Sequence, residues 1–300
     1  MVGRAEAVRE PEGLTQLGRG PSAGLGALAV HVVDLAALRR RSGSAALAAP
    51  HRGDAHALLL VTRGRGWHAV DFETQPCSAG TLLRVRPGQV QQFQVPGRLG
   101  GIQVRYTAEL APQAESEPES GPLGRLLDWH GGPVSLRLGS VDQAEIGGIV
   151  DSLAAEYAQP GEPHREELLG HLLLALLLRV DRLTAGRSVP TADAELFARF
   201  EAELERSFAA TRRAADYAGL LGCNVRTLTR ACQGAVGTPV RDVIDARVVL
   251  EAKRLLATTD EPLAALGHRL GFSDAAGLGR FFTRHAEVSA SAFRRRYRAG

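Results

Sequence analysis

The sequence predicts an α+β chain of more than one domain: an N-terminal antiparallel β-barrel, linking helices, and a C-terminal all-α domain. Short apolar runs separated by Gly, Pro and charged turns fill residues 27–112 and have the spacing of strands. Helical periodicity then holds from about residue 141 to the C-terminus. Within that helical region a single helix-turn-helix pattern occurs twice, as ADYAGLLGCNVRTLTR (Ala215 to Arg230) and as LAALGHRLGFSDAAGLGR (Leu263 to Arg280). A chain of 300 residues with 44% hydrophobic and 23% charged content is long enough for about two cores.

Residues 1–26 are rich in Gly, Pro and charge without a period and read as a mobile tail. The strand runs follow: ALAVHVVD, HALLLVT, GWHAVDF, GTLLRV, QQFQV and GIQVRY, with RGRG and RPGQ as turns, which also fits a sandwich. The acidic, Pro-rich PQAESEPESGP opens a linking segment over 113–190. Two helices are expected there, Val141 to Tyr157 and Arg165 to Leu183. The second has leucine on most of its circumference and must be buried, either in its own domain or in a homodimer contact through 141–183.

The densest apolar run, Leu168 to Val180, is broken by Gly170, His171 and Arg179 and is shorter than the roughly 20 residues of a membrane span. The N-terminal MVGRAEAVRE lacks the apolar core of a signal peptide, so a cytoplasmic protein with no membrane contact is expected. Cys77, Cys223 and Cys232 are too widely spaced for a disulfide framework or a zinc site. They read as small hydrophobes, with a thiol switch at Cys223 or Cys232 as the alternative.

After a break at Val189 and Pro190, Asp193 to Ser207 begins the helical unit. Each copy of the repeat has a small residue (Ala218, Gly267) four positions before a glycine (Gly222, Gly271), where two helices cross closely and the turn needs positive φ. Asn224 or Ser273 then offers an N-cap to a second helix of the kind that enters a DNA major groove. Between the copies, Thr238 can cap and Pro239 can take the first helical position, so Val240 to about Ala257 should be one helix of roughly 27 Å, a spacer for two heads about one duplex turn apart. Leu220, Leu221, Leu228, Leu255, Leu266, Leu270, Phe272, Phe281, Phe282 and Phe293 have core spacing. From Thr211 onward 15 Lys and Arg face 8 Asp and Glu, so this end carries about +7 of a net +3, the distribution expected where a protein meets phosphate.

These residues resemble the AraC/XylS family of transcription regulators over about Phe197 to Arg298, in the ordered blocks LGCNVRTLTR, GTPVRDVIDAR, AKRLL, LGFSD, RFF and FRRRY. Glu287 and Ala290 depart from a usual Gly and Pro, and Gly267 from a usual Ala. The resemblance implies a DNA-binding domain over 197–298 with helix-turn-helix units at about 211–233 and 262–285. It implies promoter DNA and RNA polymerase as partners, and activation as the commoner outcome. Carried over by position, Arg226, Thr227, Thr229 and Arg230 surround a buried Leu228 and are able to read bases; phosphate contact alone is the alternative, above all for Arg230. The second recognition helix offers Ala275, Ala276, Gly277 and Gly279, which leaves Ser273, Asp274, Arg280, Thr283 and Arg284 to dock on backbone or phosphate.

Residues 27–112 resemble the cupin-like sensing domain that accompanies this family, in PHRGDAHALLLVTRGRGWHAVDF and GTLLRVRPGQVQQF. A small-molecule effector is implied, with His51, His56, Trp67, His68, Gln91, Phe93 and Arg105 as candidate lining residues. A metal-dependent cupin enzyme is the rival reading. Metal cupins usually pair a close His-x-His and a Glu with a distant His; here His51 and His56 are five apart, no Glu follows, and the last position is Gln91. Two imidazoles and an amide make a poor metal site, so no metal, no cofactor and no enzymatic activity are expected. A third reading, an interaction module with no DNA, would leave the C-terminal arginines as a solvated face.

Overall fold

The computed structural model describes residues 27–93, 99–109, 126, 133–184 and 191–298. The tail expected over 1–26, the acidic stretch and the break at Val189 and Pro190 lie outside them. The chain divides into two compact units, one within residues 9–186 and one within 187–300.

The first unit holds nine strands among the described residues, all paired antiparallel, in two sheets. One sheet has the order β1 (Ala27–Asp34), β8 (Gly100–Glu109), β3 (His56–Arg63), β6 (Thr81–Val85), β9 (Ser135–Arg137). The other runs β2 (His51–Arg52), β7 (Val90–Phe93), β4 (Arg65–Val70), β5 (Glu73–Ser78). The antiparallel architecture is present as two sheets, not as a closed barrel. Three strands escaped the sequence reading because they are very short or polar; β5 carries Pro76 at a sheet edge, where a missing N–H breaks no ladder.

The five-stranded sheet is buried on both faces, which explains the unbroken apolar run of β3. Leu58 and Leu60 pack with Val104 and Tyr106 beneath helices α3 (Ser140–Tyr157) and α4 (Arg165–Thr184). Leu59 and Val61 point the other way, toward Leu83, Phe93 and the Leu35 and Leu38 of helix α1 (Leu35–Ser42). Asp34 caps α1, its Oδ1 accepting from the backbone N–H of Ala36 at 2.8 Å and Ala37 at 3.1 Å. A one-turn helix α2 (Ser44–Ala48) follows. From α4, Leu169, Leu173, Leu176, Leu177 and Val180 close the core, each stabilising by about 1.5–3 kcal/mol. That face of α4 is therefore an intrachain core, while Leu168, Leu178 and Leu183 stay exposed.

The second unit is helical: α5 (Ala192–Ser207), α6 (Ala214–Leu220), α7 (Val225–Val236), α8 (Val240–Thr258), α9 (Leu263–Arg269), α10 (Ala275–Ala286) and α11 (Ala290–Arg298). Pro239, and not Thr238, occupies the cap position of α8, one residue later in the chain than expected. Phe197, Phe200 and Leu204 of α5 pack on Tyr217, Leu228, Cys232 and Ile244. Arg247 and Arg254 converge on the buried Glu251, each at 3.2 Å, and Arg247 also binds Glu205 at 2.9 Å.

Among the expected core positions Leu228, Leu255, Leu266, Leu270, Phe272, Phe282 and Phe293 are buried, and Leu221 and Phe281 half-buried. Leu220 is the exception at 62% exposure: it ends α6 on the solvent side, and Tyr217 fills the core one turn earlier. Burial pushes the Cys77 and Cys232 thiols up to about 11, which keeps them protonated and unreactive at neutral pH.

Both turns place glycine in the left-handed region, Gly222 at φ 66° and Gly271 at φ 73°. Their surroundings differ. A Cβ at Gly271 would lie 2.6 Å from the carbonyl oxygen of Ala209, whereas one at Gly222 would meet nothing within 4 Å. Gly222→Ala should therefore cost only the conformational penalty, about 1 kcal/mol, and Gly271→Ala roughly 1–3 kcal/mol more from the backbone clash. Urea unfolding of the full chain, with hydrogen exchange of the α9 and α10 amides, reads this difference; equal losses would contradict the packing described.

Candidate nucleic-acid interface and ligand cavity

The two helix-turn-helix copies close with the same hydrogen bonds. The N–H of Cys223 donates to Ala218 O at 2.9 Å, and that of Phe272 to Gly267 O at 2.9 Å. The N–H of Gly222 and of Gly271 each donate to a carbonyl three residues back at 3.1 Å. The small residue before the second turn fits a close crossing: a Cβ at Gly267 would stand 3.2 Å from the Asp274 carbonyl oxygen. Each second helix has 12 residues, with Leu228 or Leu278 buried at its fourth position and Cys232 or Phe282 at its eighth. Each ends on a left-handed residue, Gly237 in the first copy and Glu287 in the second. Glu287 thus adopts the conformation that a glycine would take most easily.

The caps differ. Asn224 Oδ1 accepts from the Thr227 N–H at 2.8 Å, as expected. In the second copy the capping residue is Asp274, whose Oδ1 accepts from the Gly277 N–H at 2.6 Å, and not Ser273. One extra residue after Gly271 moves the cap onto the aspartate. The cap and the nearby Arg280 hold the Asp274 carboxyl below its usual range, so it stays ionised. Asp274 is thereby engaged in holding the helix, and its charge is unsuited to meeting phosphate.

On α7, Arg226 is exposed and Thr227 and Thr229 are half-buried on either side of Leu228. Arg230 is exposed but engaged: its guanidinium binds the Asp193 carboxylate of α5 through two hydrogen bonds of 3.0 Å. Ser273 ahead of α10 and Arg280, Thr283 and Arg284 on it are all exposed, and Ala276, Gly277 and Gly279 stand where α7 has Arg226, Thr227 and Thr229. Sequence reasoning missed Asp193, because it lies 37 residues from its partner.

In the first unit, His51, Gln91, Phe93 and Arg105 line a cavity between strands with Leu38, Gly53, Ala55 and Gln103. The pairing accounts for this: His51 is opposite Gln91 in one sheet, and Gln103 and Arg105 alternate along β8 in the other. His68 is buried against Phe93, ring centroids 4.3 Å apart. Two candidates fall elsewhere. His56 stacks on Tyr106 at 5.0 Å on the face beneath α3 and α4, because the pairing puts both on the side opposite Arg105. Trp67 points outward at 47% exposure, the pleat alternating away from its buried neighbour His68. Gln103, buried with no hydrogen-bond partner on its Oε1, shares the Arg105 face of β8 and was missed because a neutral amide between Ile102 and Val104 carries no signal of its own.

Burial drives the His68 pKa down to about 3, aided by His51, and burial followed by Arg105 lowers that of His51 against an opposing bond from the Ala49 carbonyl. Both imidazoles are neutral at physiological pH, and Arg105 is the cavity's charge; it reaches the exposed Asp54 at 3.4 Å. The cavity measures about 10 Å³, room for roughly one water. His51 and His56 face different compartments and cannot share an ion in this arrangement. Among the described residues no three His, Cys, Asp or Glu side chains gather as a metal site, and no helix is long and apolar enough to cross a membrane.

Comparison with known proteins gives the same division. The family model of a helix-turn-helix domain matches residues 217–296, and that of an AraC-like ligand binding domain matches residues 34–177. The HTH-type transcriptional activator RhaS of Enterobacter sp. (strain 638) is 26% identical over 239 residues, covering 78% of this chain and 83% of its own. RhaS of Citrobacter koseri is 24% identical over 244 residues, covering 80% and 84%. Among solved structures, unsaturated fatty acid bound ToxT of Vibrio cholerae strain SCE256 aligns with a TM-score of 0.44 at 13% identity, over 91% of this chain and 96% of that one. With a helix-turn-helix unit in duplicate behind an AraC-like ligand-binding domain, the chain belongs to the AraC/XylS family of DNA-binding transcription regulators.

Proposed function

We propose that this regulator activates transcription in the cytoplasm by placing two unequal helices on promoter DNA beside RNA polymerase, in response to a small polar effector held by the N-terminal unit. The observation that carries the reading is the pair of identically closed turns followed by helices of equal length and different surface. Arg226, Thr227, Thr229 and Arg230 read base edges, an arginine fork meeting guanine O6 and N7 and a threonine meeting a thymine methyl. Ser273, Arg280, Thr283 and Arg284 hold phosphate, and the Ala and Gly face of α10 lets the backbone approach closely. A homodimer contact fits the exposed Leu168, Leu178 and Leu183 of α4.

The effector reading rests on the buried, neutral-imidazole cavity around Arg105, which offers donors from the guanidinium and from Gln91 and Gln103. Because the cavity now holds little more than one water, an effector must open it. A ligand that binds only the opened state shifts the balance of states by its differential affinity and no more.

Arg226→Ala should relax preference at one base pair and cost about 1–3 kcal/mol on the selected site. Arg284→Ala should weaken all duplexes alike and lower the salt slope by about 1. Duplex selection plus anisotropy titrations at several salt concentrations distinguishes these; an unchanged selection profile for Arg226→Ala would remove it from the reading face. For the cavity, a thermal-shift panel of small carboxylates and sugars should find a compound that stabilises the full chain by about 2.7 kcal/mol at a hundredfold excess over its Kd. Arg105→Ala and Gln103→Leu should abolish that shift, and a shift surviving both would place the ligand elsewhere.

A further inference from the structure

The ion pair between Asp193 and Arg230 is built into the first reading head. Nε of Arg230 donates to Oδ2 and Nη2 to Oδ1, both at 3.0 Å, so the carboxylate takes the guanidinium side-on with two parallel bonds. Asp193 lies in the first turn of α5, favoured there by the helix N-terminus and set by Thr191, whose Oγ1 accepts from the Ala194 N–H. Helix α5 is itself fixed to α7 through Phe197 and Phe200 against Leu228, Ala231 and Cys232. Backbones held by a common core, and not two flexible side chains meeting by chance, bring the pair together.

The donor geometry leaves the arginine competent. A guanidinium has five N–H groups. The side-on fork uses one on Nε and one on Nη2. Both hydrogens of Nη1 and the second of Nη2 remain, and two of these point off the far end in parallel, the arrangement that meets guanine O6 and N7. The Arg230 side chain is 66% exposed, so its far end is open. An exposed pair of this kind contributes little to stability, which leaves orientation as its physical effect.

The second copy supplies an internal contrast. Arg280 occupies the position of Arg230, two residues after the buried leucine in each helix. Among the described residues no carboxylate forks it: Asp274, whose charge it feels, is occupied in capping α10. The carboxylate support is present in the head whose surface can read bases and lacking in the head lined with Ala and Gly.

We propose that Asp193 is a specificity-determining residue that holds the Arg230 guanidinium end-on to the major groove, so that the first head selects a base pair through a residue that does not itself touch DNA. This rests on the reading that α7 faces bases. A free arginine adapts to guanine, to phosphate or to either strand; one restrained at Nε presents a single fork in a single plane.

The test uses the full chain with Asp193→Ala, Asp193→Asn, Asp193→Glu, Arg230→Ala and the Asp193→Ala/Arg230→Ala double variant. Each is put through selection from randomised duplexes and anisotropy titration on the wild-type selected duplex and its single-base variants. Arg230→Ala should erase preference at one base pair. Asp193→Ala and Asp193→Asn should reduce preference at that same pair by roughly tenfold, the double variant should lose little more, and Asp193→Glu should restore part of it. If Asp193→Ala keeps the base preference while binding every duplex more tightly, the carboxylate only masks the arginine and the proposal is overturned. If Arg230→Ala leaves the profile unchanged, the base-reading assignment fails, and the proposal falls with it. If Arg230→Ala alters the profile and Asp193→Ala does not, only the proposal falls.

Discussion

Helix α8 is the constraint on which the DNA-binding unit depends. It contacts α6 and α7 of the first helix-turn-helix and α10 and α11 of the second, so neither copy has a complete core without it. Val240, Ile244, Val248, Ala252, Leu255 and Leu256 are buried along its length. Its polar exceptions, Glu251 and Arg254, are buried too and are tied with Arg247 to one another and to Glu205. A network of this kind is weak as a source of stability, since desolvation offsets most of the attraction, but rotating α8 would part Arg247 from Glu205 of α5 while the pairs within α8 stayed intact. The Arg247–Glu205 pair favours one rotation of α8, and the apolar residues provide the driving force.

Both copies are closed by the same backbone hydrogen bonds and built on the same spine, and they differ in surface, in caps and by one residue in the turn. The first has a side-chain amide at its cap, a glycine at its C-terminal end and Arg226, Thr227 and Thr229 around its buried leucine. The second uses an aspartate at the cap, a glutamate in the left-handed position and Ala276, Gly277 and Gly279 at the matching positions, with Gly271 pressed against the Ala209 carbonyl. Small residues there combine close approach with few hydrogen-bond donors. The duplication has kept the geometry and divided the chemistry.

In the first unit, legibility followed periodicity. Helices α3 and α4 were found within about a residue at each end, because a 3.6-residue pattern over five turns is a strong signal. The strands β1, β3, β4, β6, β7 and β8 are legible too. The directions of their side chains are not: β3 is an unbroken apolar run, and although β8 alternates Gln103 and Arg105 with Ile102, Val104 and Tyr106, only its pairing with β3 shows which face lines the cavity. His56 and His51 look alike in sequence; pairing registers put one beneath the helices and the other in the cavity. Leu220 was placed in the core by spacing alone, but a seven-residue helix is too short for its period to tell Leu220 from Tyr217.

The family, the duplicated turn and the spacer helix are legible in the chain alone. These rest on local rules: glycine where φ is positive, an apolar residue at each helical repeat, a capping side chain two residues after a turn. Tertiary structure alone decided that one sheet would become two, that Asp274 and not Ser273 would cap α10, and that Arg230 would be gripped by a carboxylate 37 residues away. The reason is physical: local rules act through the backbone of a few neighbouring residues, whereas an ion pair, a cavity wall or a sheet register forms only when a folded core brings distant segments within about 3 Å of one another.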